Sequence, residues 1–189
     1  MKRIIRLARA SDAEGILTIY APYISGTAIS FETEVPSAEE FATRIGAIGG
    51  RYPYLVCEID GKIAGYAYAS KFREREAYRY DVETSIYVAA EYHGSGLAYE
   101  LYGRLFQILK ELGYYNAYAS TVTQNTKSVN FHQKFGFKPI GIYHRAGYKF
   151  ERWHDGMWLE KEINSSDARP GRIRAIRDLP VKELEEILR

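Results

Sequence analysis

Apolar residues along this chain recur in two periods, one of two residues and one near 3.6, and the changes between them predict its elements. The sharpest change falls between residues 82 and 112. Val82, Thr84, Ile86 and Val88 alternate with Glu83, Ser85 and Tyr87, a β-branched and aromatic pattern that predicts a strand. Leu97, Leu101, Leu105, Ile108, Leu109 and Leu112 then share one helical face, and Gly113 supplies the stop. Between them lies His93-Gly94-Ser95-Gly96, whose glycines permit tight turns and leave amide N–H groups uncovered. A helix N-terminus behind such a loop attracts anions, because unpaired donors and the helix dipole converge there.

Residues 2–8 read as an opening strand. Ser11, three residues before Glu14, caps a helix that carries Ile16, Leu17 and Tyr20 and stops near Pro22. Residues 24–36 are a loop, and Ser37 with Glu40 forms a second capping box for a helix reaching Gly49-Gly50. Residues 54–59 and 62–69 are strands joined by Asp60-Gly61, a hairpin signal, and residues 71–76 are a charged loop. Past Gly113 come a strand over 116–122, a short helix capped by Asn125 and ending at Gly136, and a strand over 137–143. A glycine-containing loop over 144–152 and a closing strand over 157–163 follow. Residues 164–167 read as a linker, ahead of Arg169, Arg172, Arg174 and Arg177. Asp178 and Pro180 then start a helix with Val181, Leu184, Ile187 and Leu188 on one face. The expected architecture is α+β: one domain over residues 1–163, with a mixed, mostly antiparallel central sheet flanked by helices, and a linker with a C-terminal amphipathic helix over residues 164–189.

Composition narrows the function. A chain of 189 residues can bury one sizeable core, and a net charge of +2 is too small to argue for a nucleic-acid partner. Acids are interleaved with the arginines of the tail, which argues the same way. One cysteine, Cys57, excludes an intrachain disulfide framework and fits a reducing cytoplasm; it has no flanking motif and reads as a buried strand residue. No apolar run reaches membrane-spanning length, so no membrane partner is expected. The 17 tyrosines stand out, and several between Tyr78 and Tyr118 are suited to lining a cleft.

The glycine loop lacks the Gly-Lys-Ser/Thr of a nucleoside-triphosphate loop and the third glycine of a dinucleotide fingerprint. An ordinary strand-to-helix turn stays open. Its surroundings carry more. Val82-Glu83-Thr84-Ser85-Ile86-Tyr87-Val88 followed by His93-x-x-Gly96-x-Ala98 resembles the acetyl-CoA-binding core of the GNAT N-acetyltransferases, whose pattern is Arg/Gln-x-x-Gly-x-Gly/Ala. Asn125-x-x-Ser128-x-x-Phe131-His132-Gln133-Lys134-Phe135-Gly136-Phe137 is similar to the family's next motif, as is Gly147-Tyr148-Lys149 with Trp153-His154-Asp155. Together these most resemble the phosphinothricin acetyltransferase branch, which also acts on methionine sulfoximine, over roughly residues 3–163.

The resemblance implies a GNAT-like fold, acetyl-CoA as co-substrate, no metal, a small-molecule amine acceptor and a homodimer. It assigns the diphosphate to the amides of Gly94, Ser95, Gly96, Leu97 and Ala98, and the pantetheine arm to the backbone of Ile86, Tyr87 and Val88. The Val88 N–H would polarise the thioester carbonyl. Asn125 and Ser128 cap their helix and also meet the arm. His93 departs from the family's Arg or Gln, so its side chain contributes less. Glu83 is the candidate base, reading otherwise as a carboxylate on an exposed strand face; His132 is the candidate acid, and the two roles are interchangeable at this level. His132 also reads as a core histidine, because Val129 and Phe135 share its face. Phe31, Arg73, Arg75, Thr84, Ser85, Tyr118 and Lys149 are the acceptor-binding candidates, with an arginine fork matched to a carboxylate. A solvated charged turn is the other reading of residues 71–76.

The expected activity is transfer of acetyl to the amino group of a small amino-acid-like compound by direct attack. An acyltransferase for protein N-termini or polyamines would show an open groove instead. A CoA-binding regulatory module would bind the donor without releasing thiol.

Overall fold

The computed structural model describes residues 3–165 and 169–189. Lys2 of the predicted first strand, and Ser166 and Asp167 of the predicted linker, lie outside the described residues. Seven strands form one sheet in the order β1-β2-β3-β4-β5-β7-β6, with β1 Arg3–Leu7, β2 Tyr54–Ile59, β3 Lys62–Lys71, β4 Asp81–Val88, β5 Asn116–Val122, β6 Lys138–Lys149 and β7 Arg152–Glu162. All neighbours are antiparallel except β4 and β5. Helices α1 Ala13–Gly26 and α2 Ala38–Gly49 cover one face of the sheet; α3 Leu97–Leu112 covers the other, backed by α5 Val181–Leu188, and α4 Thr126–Lys134 precedes β6.

The sheet thereby separates two cores. Under α1 and α2 lie Ile16, Ile24, Phe41 and Ile45 with a layer of tyrosines, Tyr20, Tyr54 and Tyr66. Under α3 lie Leu97, Leu101, Leu105, Ile108, Leu109 and Leu112, the stripe read from the sequence, with Val82 and Ala117 of the sheet. Gly113 ends α3 at φ 88°. Ser37 and Glu40 make the expected reciprocal cap, at 3.2 and 2.7 Å.

Three local expectations are corrected. Helix α1 runs through Pro22 to Gly26, because burial of Ile24 outweighs the one backbone bond the proline denies. Ser11 does not cap it; Asp12 sits at that place, bonded to the Arg9 amide and forked by Arg6 at 2.7 and 2.8 Å. Residues 144–152 are no loop, since β6 runs to Lys149 and turns directly into β7. Phe150 and Glu151 take φ of 51° and 57°, the same left-handed pair that Asp60 and Gly61 supply between β2 and β3. Without a glycine that turn costs about 1–2 kcal/mol per residue. Tertiary contacts offset it: buried Lys149 donates to the carbonyls of Ile24, Ser30 and Glu32 at 2.6, 2.8 and 2.7 Å, and His154 donates to the Lys149 carbonyl at 3.0 Å.

Beyond β7 the chain is docked. Arg174 N–H donates to Leu112 O and Ile176 N–H to Arg51 O, while Ile176 and Leu179 are buried and Leu184, Ile187 and Leu188 pack on the α3 core.

Candidate active site

Strand β4 pairs with β5 only at Asp81↔Asn116, Val82↔Ala117 and Glu83↔Tyr118. From Thr84 onward β4 keeps β3 as its neighbour, while β5 continues alongside β7 as far as Val122. The sheet therefore opens into a wedge whose apex is Glu83. A cavity of about 880 Å³ fills this wedge, between Thr84–Val88 on one wall and Ser120, Thr121, Asn125, Ser128 and His132 on the other, and reaches Tyr23 and Ile29 on the α1 side. That volume suits an extended cofactor-sized ligand.

The glycine loop stands at the cavity's mouth. Gly94 and Gly96 adopt φ of 76° and 83°, and a Cβ at either would meet nothing within 4 Å. Backbone geometry, not crowding, demands glycine there. The first-turn N–H groups of Leu97, Ala98 and Tyr99 lack intrahelical partners and open on the same space. Ser95 holds the turn, its N–H on Tyr92 O at 3.2 Å and its hydroxyl 3.4 Å from Leu97 N. The His93 imidazole folds back: its Nε2 donates to Val88 O at 3.0 Å, beside the Tyr23 hydroxyl, which donates to the same carbonyl at 2.9 Å. Asn125 Oδ1 accepts from Ser128 N–H at 3.2 Å and caps α4. Ile86 and Val88 face the cavity, whereas the Tyr87 ring turns to the other side and packs on Tyr20, Tyr23 and Tyr66.

His132 is buried at 4% exposure and borders the cavity. Its Nδ1 lies 2.8 Å from Ser128 O, and its Nε2 lies 3.1 Å from the Tyr102 hydroxyl. Burial pushes its pKa below the usual histidine range, against the bond from Ser128. Glu83 lies on the opposite face of β4, half-buried beside Ser70 and Tyr118. Burial raises its carboxyl above the usual range, and Arg73 opposes that rise. The two candidates for proton transfer thus approach the wedge from opposite faces.

Around Glu83 the predicted acceptor residues divide. Tyr118 is stacked face to face under Phe72 at 4.0 Å; the Arg73 guanidinium lies over Phe72 at 4.5 Å and over Trp158 at 5.3 Å. Ser85 faces Tyr68 across the β3–β4 pair. Arg75 is exposed in the same segment as Arg73. Phe31 stands apart at the β6–β7 hairpin, where a Cβ on Gly147 would come within 2.7 Å of its ring. Thr84 turns to the α3 side, where its hydroxyl lies 3.3 Å from that of Tyr102. Lys149 is corrected: its ammonium is spent on three backbone carbonyls, and burial lowers its pKa. Phe72, Trp158, Tyr68, Tyr23 and Tyr102 were missed. Register across β5 and β7 sets Trp158 near Tyr118, and Phe72 packs on both rings; only the unusual tyrosine content hinted at the others.

An open wedge between parallel strands, with a glycine loop and a helix N-terminus at its mouth, is the arrangement of an acyl-CoA transferase. Residues 5–158 match the family described as Acetyltransferase (GNAT) domain. The chain belongs to the GNAT acetyltransferases and is an acetyl-CoA-dependent N-acetyltransferase. It is 34% identical to a phosphinothricin N-acetyltransferase of Streptomyces viridochromogenes, over 82% of this chain and 85% of that one. It is 31% identical to an L-methionine sulfoximine/L-methionine sulfone acetyltransferase of Pseudomonas paraeruginosa, over 90% and 100%. Its fold superposes with a TM-score of 0.85 on a phosphinothricin acetyltransferase from Sinorhizobium meliloti in complex with AcCoA, at 33% identity over 90% and 94% of the two chains.

Proposed function

We propose that the acceptor is a small amino-acid-like compound of the phosphinothricin or methionine sulfoximine type, acetylated on its amino group by direct attack within a ternary complex. The observation that carries this reading is the position of Glu83 at the apex of the wedge, with Arg73 held over an aromatic pair beside it. A carboxylate whose proton affinity is raised by burial is a better acceptor for an ammonium proton than an ordinary one. Glu83 takes that proton, directly or through water. Arg73, with Arg75 nearby, holds the acceptor's carboxylate.

The donor supplies an activated acetyl group as a thioester. The amides of Gly94, Gly96, Leu97 and Ala98 hold its diphosphate, and Ile86 and Val88 turn backbone groups to the unpaired wall of the wedge, Tyr87 being paired with Tyr66 of β3. The Val88 N–H donates to the oxygen on which negative charge develops. As the C–N bond forms and the C–S bond breaks, the attacking nitrogen sheds its second proton, which the neutral His132 takes on Nε2 and gives to the departing sulfur. Relatives named for the one activity or the other support the acceptor class. A homodimer is part of this reading: Ile140, Ile142, Tyr143, Tyr148 and Trp153 are exposed on the β6–β7 edge of the sheet.

A thiol-release assay with acetyl-CoA tests the acceptor class. Phosphinothricin, methionine sulfoximine and methionine sulfone are expected to give the highest kcat/KM, above ordinary amino acids, with polyamines and peptides lowest. Preference for a polyamine or a peptide N-terminus would overturn it.

A further inference from the structure

We propose that Tyr102, on α3, is a positioning residue for His132: with the tautomer of the imidazole set by the Ser128 carbonyl, its hydroxyl serves the second ring nitrogen in either charge state. The inference rests on the reading of His132 as a proton donor in turnover.

The argument is a count of protons. The Ser128 carbonyl can only accept, so His132 Nδ1, 2.8 Å away, carries a hydrogen. In the neutral ring Nε2 is then a bare lone pair, and the Tyr102 hydroxyl 3.1 Å away donates to it. When the ring gains a proton, Nε2–H donates to the same tyrosine oxygen. The Tyr102 hydrogen passes to Thr84 Oγ1 at 3.3 Å, and the Thr84 hydrogen to the Tyr118 carbonyl at 3.3 Å. Both states leave every buried donor with an acceptor, and the change between them needs only hydroxyl rotation. That matters because an unpaired buried donor costs about 1–3 kcal/mol.

Among the described residues, no other hydroxyl bonds to His132 Nε2. Tyr102 is fully buried, and Phe106, Phe131, Phe135 and Phe137 pack around it. The groups facing His132 are the Tyr102 hydroxyl from α3, the Ser128 hydroxyl and carbonyl and the Phe131 ring from α4, and the ring of Phe137 before β6. Thr84 on β4 comes one bond further on, and the carboxylate that acts on the network is Glu83, through Tyr102. The hydroxyl chain therefore ends on the carbonyl of Tyr118, the residue paired with Glu83. It runs from His132 on α4 to the backbone of the residue opposite Glu83 on β5.

Nitrogen-15 NMR of the histidines, with kcat measured against pH, tests this in the wild type, Tyr102→Phe and His132→Ala. The wild type is expected to show a neutral His132 with the hydrogen on Nδ1; a hydrogen on Nε2 would overturn the proposal before any variant is made. Tyr102→Phe should move the His132 titration to lower pH, since the cation loses more than the neutral ring does. It should also lower kcat about 10-fold, with the acetyl-CoA KM within about twofold. A Tyr102→Phe protein that melts earlier but keeps the wild-type titration and pH profile would show a packing role only. Should His132→Ala keep full kcat, the catalytic reading of His132 fails, while the tautomer and titration of His132 still decide the part played by Tyr102.

Discussion

On one side of β4 the ligand-facing groups are backbone amides set by Gly94 and Gly96; on the other they are side chains, Glu83 beside Tyr118 and Arg73 over Phe72 and Trp158. The donor side is walled by the α3 core and helix α4, with a defined cavity. The acceptor side is built on an exposed segment, residues 71–76, and an aromatic surface. A donor common to a family is met by backbone geometry, which many sequences can supply. An acceptor that varies is met by side chains on a loop, which can change without disturbing the sheet.

Substitutions on the two sides should separate donor binding from acceptor chemistry. The largest effect is expected from Glu83→Gln, which should lower kcat by about 10²–10⁴ and leave acetyl-CoA binding by calorimetry unchanged. Turnover near the wild-type rate would remove Glu83 from its role. Arg73→Ala comes next, with kcat/KM for the acceptor reduced about 10–100-fold and the acetyl-CoA KM unmoved, as the loss of a charged hydrogen bond predicts. An equal rise in both KM values would place Arg73 in the scaffold. Gly96→Val acts on the other side: forcing a β-branched residue to φ 83° should weaken acetyl-CoA binding about 10-fold or more without altering acceptor preference.

The smallest effect concerns stability. Burial raises the Glu83 carboxyl above its unfolded value, so its contribution is fully present below the ordinary carboxylate range and is lost as pH rises through the folded pKa. Glu83→Gln should therefore melt slightly above the wild type at pH 7.5, the gap closing as pH falls towards about 4. His132 is opposite in direction and in consequence at low pH: its pKa is depressed, so its contribution is present above about 6.5 and lost as pH falls through the lower folded value. Melting curves of both variants across that range check the two signs.

The same division decided what the sequence could reveal. The strand, glycine loop and α3 are local: period two, two glycines and a leucine stripe each imprint on neighbouring residues, and the structure has them with nearly the expected bounds. The β6–β7 hairpin was not legible because its turn, Phe150-Glu151, lacks the residues that favour positive φ and is held instead by Lys149 reaching back to residues 24–32. That same distant engagement withdrew Lys149 from the acceptor candidates. Phe72 read as part of a charged turn, since nothing local records that Tyr118 and Trp158 lie beside it. Tyr102 lies outside the leucine stripe of α3, and nothing in its local pattern marks it. Its hydroxyl gains meaning only when α4 brings His132 within 3.1 Å.

The most direct test of the wedge is a crystal structure of the protein with acetyl-CoA. The diphosphate should accept from the amides of Gly94, Gly96, Leu97 and Ala98, and the acetyl carbonyl should lie between β4 and β5 next to Val88 N–H, open to the Glu83 face. A diphosphate bound away from that loop, or an acetyl group sealed off from Glu83 by the sheet, would contradict the account.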